Sequence, residues 1–198
     1  MLKDLIKNAS RIHTRDLNFT TYPVSDTDVI VHGELKDMRH VSIFHVTGVV
    51  KDPGPIHHIS FTCRLAPNPL RIVKAEAEML TVPLEECQDC LDRVSLLEGM
   101  EIKSGFSDAV DQIMGRTKGC THLCHLIKTM AQEMVHGWMT WNRRKTEDHP
   151  RRPTSLKESQ YLINSCRVWK EGGTRMRQLA KDLKKIDPKG MAPDTPGE

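Results

Sequence analysis

The chain has 198 residues, of which 38% are hydrophobic and 28% charged, with a formal net charge of +3. That length suits one ordinary domain with an appendage, or at most two small ones. No run approaches ~18 apolar residues, so no membrane span is expected, and so small a net charge gives nucleic acid little to grip.

The opening MLKDLIKNAS carries Asp4 and lacks an apolar core, so it does not read as a secretory signal and the expected location is the cytoplasm. There the six cysteines argue for thiols or metal ligands rather than disulfides. His13-Thr14-Arg15 is read as preceding the sheet. Residues 28–35, 41–46, 56–65 and 70–79 are short and rich in β-branched residues, and the last alternates apolar with charged side chains. They predict strands, with Asp37 at the end of the first run. The connections Lys51-Asp52-Pro53-Gly54-Pro55 and Ala66-Pro67-Asn68-Pro69 are too short for a crossover helix, so the sheet is expected to be antiparallel.

The period then changes. Pro83 followed by the stripe Leu84, Cys87, Leu91, Val94 and Leu97 predicts a helix that stops at Gly99. A short helix is expected over 107–114. A longer one is expected from Gly119 to about Trp141, with Cys120, Leu123, Ile127, Met130, Met134 and Trp138 on one face. The fold class is therefore α+β, an N-terminal antiparallel sheet followed by packed helices. The division expected is a core domain over 1–142, a basic linker over 143–153, a helical segment over 154–187 packing on the core, and a flexible tail over 188–198. Ser155-Leu156-Lys157-Glu158 reads as a capping box opening a helix through Tyr161, Leu162 and Trp169, and Met176, Leu179, Leu183 and Ile186 form the stripe of a last helix. The cations after residue 142 read as a solvated helical surface, because few aromatics interleave with them.

Cys87-Gln88-Asp89-Cys90 and Cys120 with Cys124 form two close pairs, with His122 inside the second. Thiolate and imidazole are the donors that zinc and softer metals select. Cys87 sits on an apolar stripe, where core packing is the simpler account, and Cys124 beside Leu123 reads as packing too. Cys120 is placed otherwise. Behind Gly119 at a helix start, its thiol meets unpaired N–H groups and the positive end of the helix dipole, which favours a thiolate. His57-His58 opens a strand, where alternation sends one ring inward and the other to solvent.

Lys118-Gly119-Cys120-Thr121-His122-Leu123 carries a resemblance, supported by Arg11-x-His13-x-Arg15, Gly33-x-Leu35-x-Asp37, Ile56-His57, Cys87 after Pro83, Leu97-x-Gly99, Ile102 with Gly105-Phe106, and Asn164-Ser165-Cys166. Across residues 11–169 the chain resembles a bacterial family catalogued as a domain of unknown function, whose members look like small accessory proteins encoded beside catabolic enzymes. The resemblance implies a dispersed metal set of Cys87, Cys120, His122 and Cys166, together with a role for His57. It is similar in outline to iron–sulfur scaffold proteins in which a Gly-Cys step opens a helix. The leading expectation is thus a zinc- or iron-binding accessory protein, an iron–sulfur cluster included, with a catabolic enzyme complex as its partner. Two alternatives stay open: a small hydrolase or transferase with Cys120 as nucleophile and His57 or His122 as base, or activated by a bound metal, and a non-enzymatic protein- or nucleic-acid-interaction module.

Overall fold

A computed structural model of the chain describes residues 1–144, 146 and 162–186. It divides into two compact units, Met1–Asn142 and Arg143–Glu198. The first contains a short helix α1 (Leu2–Ile6), then β1 (His13–Pro23), β2 (Val29–Arg39), β3 (Ile43–Phe44), β4 (Val50–Lys51), β5 (Gly54–Ala66) and β6 (Arg71–Thr81). A 3-10 segment (Glu85–Leu97) leads to α2 (Phe106–Met114) and the long α3 (Thr121–Asn142). The sheet order is β1-β2-β5-β6, antiparallel throughout. Strands first and helices after make the class α+β.

Alternation decides which face is covered. On β2, Val29, Val31, Gly33, Leu35 and Asp37 point into the protein, and on β5 the matching set is His57, Ile59, Phe61, Cys63 and Leu65. These inward side chains meet Leu123, Leu126, Ile127, Met130 and Met134 of α3. Fully burying each such aliphatic side chain stabilises by about 1.5–3 kcal/mol. Helix α3 lies over β1, β2 and β5, while the 3-10 segment covers β6 and α2 packs between them. Two features let α3 come close. A Cβ on Gly33 would stand 2.6 Å from Met130 Sδ, and one on Gly137 would collide with the Thr21 side chain. The far end of α3 is tied down by Trp141 Nε1, which donates to the Ser25 carbonyl at 2.7 Å.

Four local expectations need correction. His13-Thr14-Arg15 does not precede the sheet but begins its edge strand, because Leu17, Phe19 and Thr21 alternate as a half-covered face despite the polar residues between them. Strand β2 continues past Leu35, so Asp37 lies inside it. Residues 41–46 do not form a core strand; only Ile43–Phe44 pair, with Val50–Lys51, and Phe44 and Val46 are exposed because, among the described residues, no element packs over that hairpin. The 84–97 stripe is a run of 3-10 turns, whose three-residue period also lines up apolar positions and leaves Leu84 exposed.

In the second unit, residues 162–165 form a turn followed by a 3-10 turn (Arg167–Trp169), not the continuous helix expected there. The reason is local. Asn164 adopts φ +60° and its side-chain oxygen accepts from the Glu171 backbone N–H at 3.0 Å, a conformation Asn tolerates better than most residues. Helix α4 (Thr174–Ile186) forms as the stripe predicts. The expected linker core, the capping box at Ser155 and the tail fall outside the described residues.

Candidate metal centre

The sheet register builds the site. Arg15 of β1 pairs with Asp37 of β2, and Asp37 pairs with His57 of β5, so the three lie in one row across adjacent strands. All three share the parity of the helix-covered face. Arg15 grips the carboxylate with both arms of its fork, Nε to Oδ1 and Nη2 to Oδ2, each at 2.7 Å. His57 Nδ1 lies 2.9 Å from Oδ2, and at that distance from a carboxylate the nitrogen must carry a proton. A neutral His57 therefore keeps its lone pair on Nε2. His13 Nε2 stands 3.9 Å from Oδ1 at the exposed rim. Register shifts next to both Asp37 and His58 mark a local departure from regular pairing, as is common beside functional sites.

The fourth member comes from α3. The Cys120 carbonyl accepts the first helical bond, from the Cys124 N–H at 2.9 Å, so Cys120 occupies the N-cap position and His122 lies in the first turn. Gly119 fixes that entry by size: a Cβ there would stand 2.6 Å from the Met114 carbonyl oxygen. From the first turn the His122 ring stacks on His57, centroids 3.7 Å apart and planes 30° from parallel. One ring edge faces the sheet, with Nε2 3.9 Å from Asp37 Oδ2; the other faces Cys120, with Nδ1 3.9 Å from its sulfur.

The charges follow from these contacts. The Arg15 guanidinium, and to a lesser degree His57, hold the Asp37 carboxyl below its usual range against the opposing effect of burial. Burial, the His57 ring and Arg15 lower the His122 pKa, so it presents a lone pair at neutral pH. Both groups are thus in the state that ligates metals. Donor atoms of Asp37, His57 and His122 all lie within 4.8 Å of one another, an arrangement that can hold a metal ion.

Beside this group opens a cavity of about 610 Å³. One wall is His57 and residues 117–122; the other is the 3-10 segment. Its three-residue period stacks Cys87, Cys90 and Arg93 along one edge, all facing the cavity. The Cys90 thiol donates to the Cys87 carbonyl at 3.2 Å, and its pKa is raised chiefly by burial although the Cys120 backbone N–H points at the sulfur.

Of the residues singled out in the sequence, Cys120, His122 and His57 come together, and Cys87 lines the same cavity. Cys166 is exposed and belongs to the second unit. Cys124 is packing: it is buried, its thiol donates to the Met114 carbonyl at 2.9 Å, and burial pushes it up to about 11. Arg15 and Asp37, which stand among the residues that carry the resemblance, had no site role expected of them, yet both lie beside His57 in the row. Asp37 continues the inward parity of Val31, Gly33 and Leu35, and that alternation is the signal that would have found it.

No curated protein and no solved structure matches this chain significantly. One family model does, over residues 13–136, which takes in the row, the cavity walls and most of α3. The chain belongs to that family, described as a protein of unknown function (DUF2889).

Proposed function

We propose that this protein binds a divalent transition-metal ion at the face formed by Asp37, His57 and His122. The observation that carries the reading is the convergence of their donor atoms within 4.8 Å on the covered face of the sheet. Imidazole donors suit zinc, iron, copper and nickel, while an all-oxygen set would suit magnesium or calcium. The test is metal content and uptake. Protein stripped with a chelator and titrated with zinc or iron(II) is expected to bind stoichiometrically, and His57→Asn with His122→Asn is expected to bind at least tenfold more weakly while keeping its circular dichroism. Stripped protein that takes up neither metal refutes the reading.

A second reading is favoured by one observation, the chain of contacts from Cys120 Sγ to His122 Nδ1 and from His122 Nε2 to Asp37. In that order the groups are a thiol nucleophile, its base and the orienting carboxylate; transfer of the thiol proton to Nδ1 leaves a thiolate paired with an imidazolium. Alkylation decides it. Cys120 is expected to react with iodoacetamide at pH 7 faster than the exposed Cys166, and to lose that advantage in His122→Gln. Equal rates at the two cysteines rule out an activated nucleophile.

A further inference from the structure

We infer that the ion sits on the cavity side of the two imidazoles, held by His57 Nε2, His122 Nδ1 and the Cys120 thiolate, and that Asp37 positions both rings without ligating. This rests on the metal-binding reading but departs from it at one ligand: both histidines are kept and the Cys120 sulfur replaces the carboxylate. Three observations carry it.

The first is that three of the four lone-pair directions of Asp37 are already engaged, both of those on Oδ2 among them. Arg15 takes one direction on each oxygen, and His57 takes a second on Oδ2. An ion bound there would stand against a guanidinium whose fork is 2.7 Å from both oxygens. The second is distance. Donors sharing a tetrahedral zinc at about 2.0–2.2 Å lie about 3.4 Å apart. Asp37 Oδ2 and His57 Nδ1 at 2.9 Å are too close for that and fit a hydrogen bond. For sulfur at about 2.3 Å and nitrogen at about 2.0 Å from the same ion, the separation is about 3.5 Å. Cys120 Sγ and His122 Nδ1 at 3.9 Å are within a few tenths of it. The third is direction. Each imidazole turns one nitrogen to Asp37, Nδ1 of His57 and Nε2 of His122, which leaves the other nitrogen of each for an ion. Both rings line the cavity together with Cys120.

A carboxylate behind a metal-binding histidine is a recurrent device for fixing the ring and raising its basicity; here a single carboxylate, itself anchored by Arg15, would serve two rings. Cys120 stands outside the Asp37–His57–His122 group whose donors lie within 4.8 Å of one another; of these residues its sulfur meets His122, 3.9 Å from Nδ1. Ligation by Cys120 requires its thiol to turn about the Cα–Cβ bond toward His57, and binding to the ion releases the thiol proton. A thiolate with two imidazoles selects zinc and its thiophilic relatives over magnesium or manganese. The fourth position faces the cavity.

The experiment is cobalt(II) titration of the stripped full-length chain, followed by absorbance. Expected are a sulfur-to-cobalt charge-transfer band in the near-ultraviolet and tetrahedral visible bands. The charge-transfer band disappears in Cys120→Ser and persists in Asp37→Asn, whose cobalt affinity falls about 10- to 100-fold. Cobalt bound without the band, or a band that survives in Cys120→Ser and is lost in Cys166→Ser, overturns the inference while leaving metal binding intact. Loss of all binding in Asp37→Asn with Cys120→Ser unaffected places the ion on the carboxylate and overturns it as well. If the wild-type chain binds no metal at all, both readings fall. Circular dichroism of each variant separates lost ligands from lost structure, and Cys120→Ala gives a second removal of the sulfur should the serine variant misfold.

Discussion

Replacing Asp37 by alanine removes the anchor of the row, and the structure sets the size of the effect. The carboxylate is 2% exposed and receives charged or charge-assisted donors at 2.7, 2.7 and 2.9 Å. Removing one partner of a buried pair costs about 3–5 kcal/mol. Here Arg15 is 35% exposed and regains water when freed, whereas the buried His57 N–H does not. The low end applies, about 3 kcal/mol, against a total of about 5–15 kcal/mol for a domain, so the variant still folds. Urea unfolding followed by circular dichroism at several pH values measures it. Because the folded pKa of Asp37 is depressed, its contribution is fully present above the unfolded carboxylate value of about 3.9 and is lost as pH falls through the folded one. The difference between wild type and variant should therefore hold from pH 7 to about 5 and shrink only below about pH 4. A difference under about 1 kcal/mol at pH 7, or one that closes between pH 7 and 5, refutes the pairing described here.

Further outcomes are expected. The His122 titration midpoint, read from imidazole proton shifts, should lie below the usual histidine value of about 6.5 and fall further in Asp37→Asn, since the carboxylate holds it up; a midpoint above that value contradicts the assigned burial. Gly119→Ala forces a Cβ to 2.6 Å from a backbone oxygen that cannot swing aside, and should cost about 1–3 kcal/mol and loosen the entry to α3, whereas Gly33→Ala meets the flexible end of Met130 and should cost less. Thermal unfolding of the two variants ranks them. Burial pushes the Cys63 thiol up to about 12 and Cys124 to about 11, so both should resist alkylation at pH 8 until the chain is unfolded, as mass spectrometry of quenched samples would show.

The sequence carried some of this plainly and hid the rest for identifiable reasons. Period-2 alternation is a local property: it sent one of His57 and His58 inward without deciding which, and it placed strands β5 and β6 within two residues of their observed limits. Asp37 obeys the same alternation, yet the charges around it at Lys36 and Arg39 look like a strand end, because nothing local tells that Arg15 waits on the next strand to neutralise it. Register is long-range information, fixed by turns and by the whole covered face. The 3-10 run from Glu85 was beyond reach for another reason: spacing of three residues serves an α-helix and a 3-10 helix alike, and only the second stacks Cys87, Cys90 and Arg93 in one file. The placing of Cys120 and His122 together at a helix start was legible because its determinants, a glycine and a helix start, are adjacent in the chain.

Setting Arg15, Asp37 and His57 as register partners has a consequence for how the site comes into being. The spacing between them is inherited from backbone hydrogen bonds between strands, about 4.8 Å apart, and not from the choice of rotamers. A slip of β2 by one residue would turn Asp37 to solvent and bring Lys36 or Met38 inward, abolishing the centre without altering any residue. The imidazole stack joins β5 to α3, so it requires α3 to have docked on the strand that carries His57. Its appearance during refolding is thus a chemical clock for that docking, and a bound ion would act as a clasp between strand and helix.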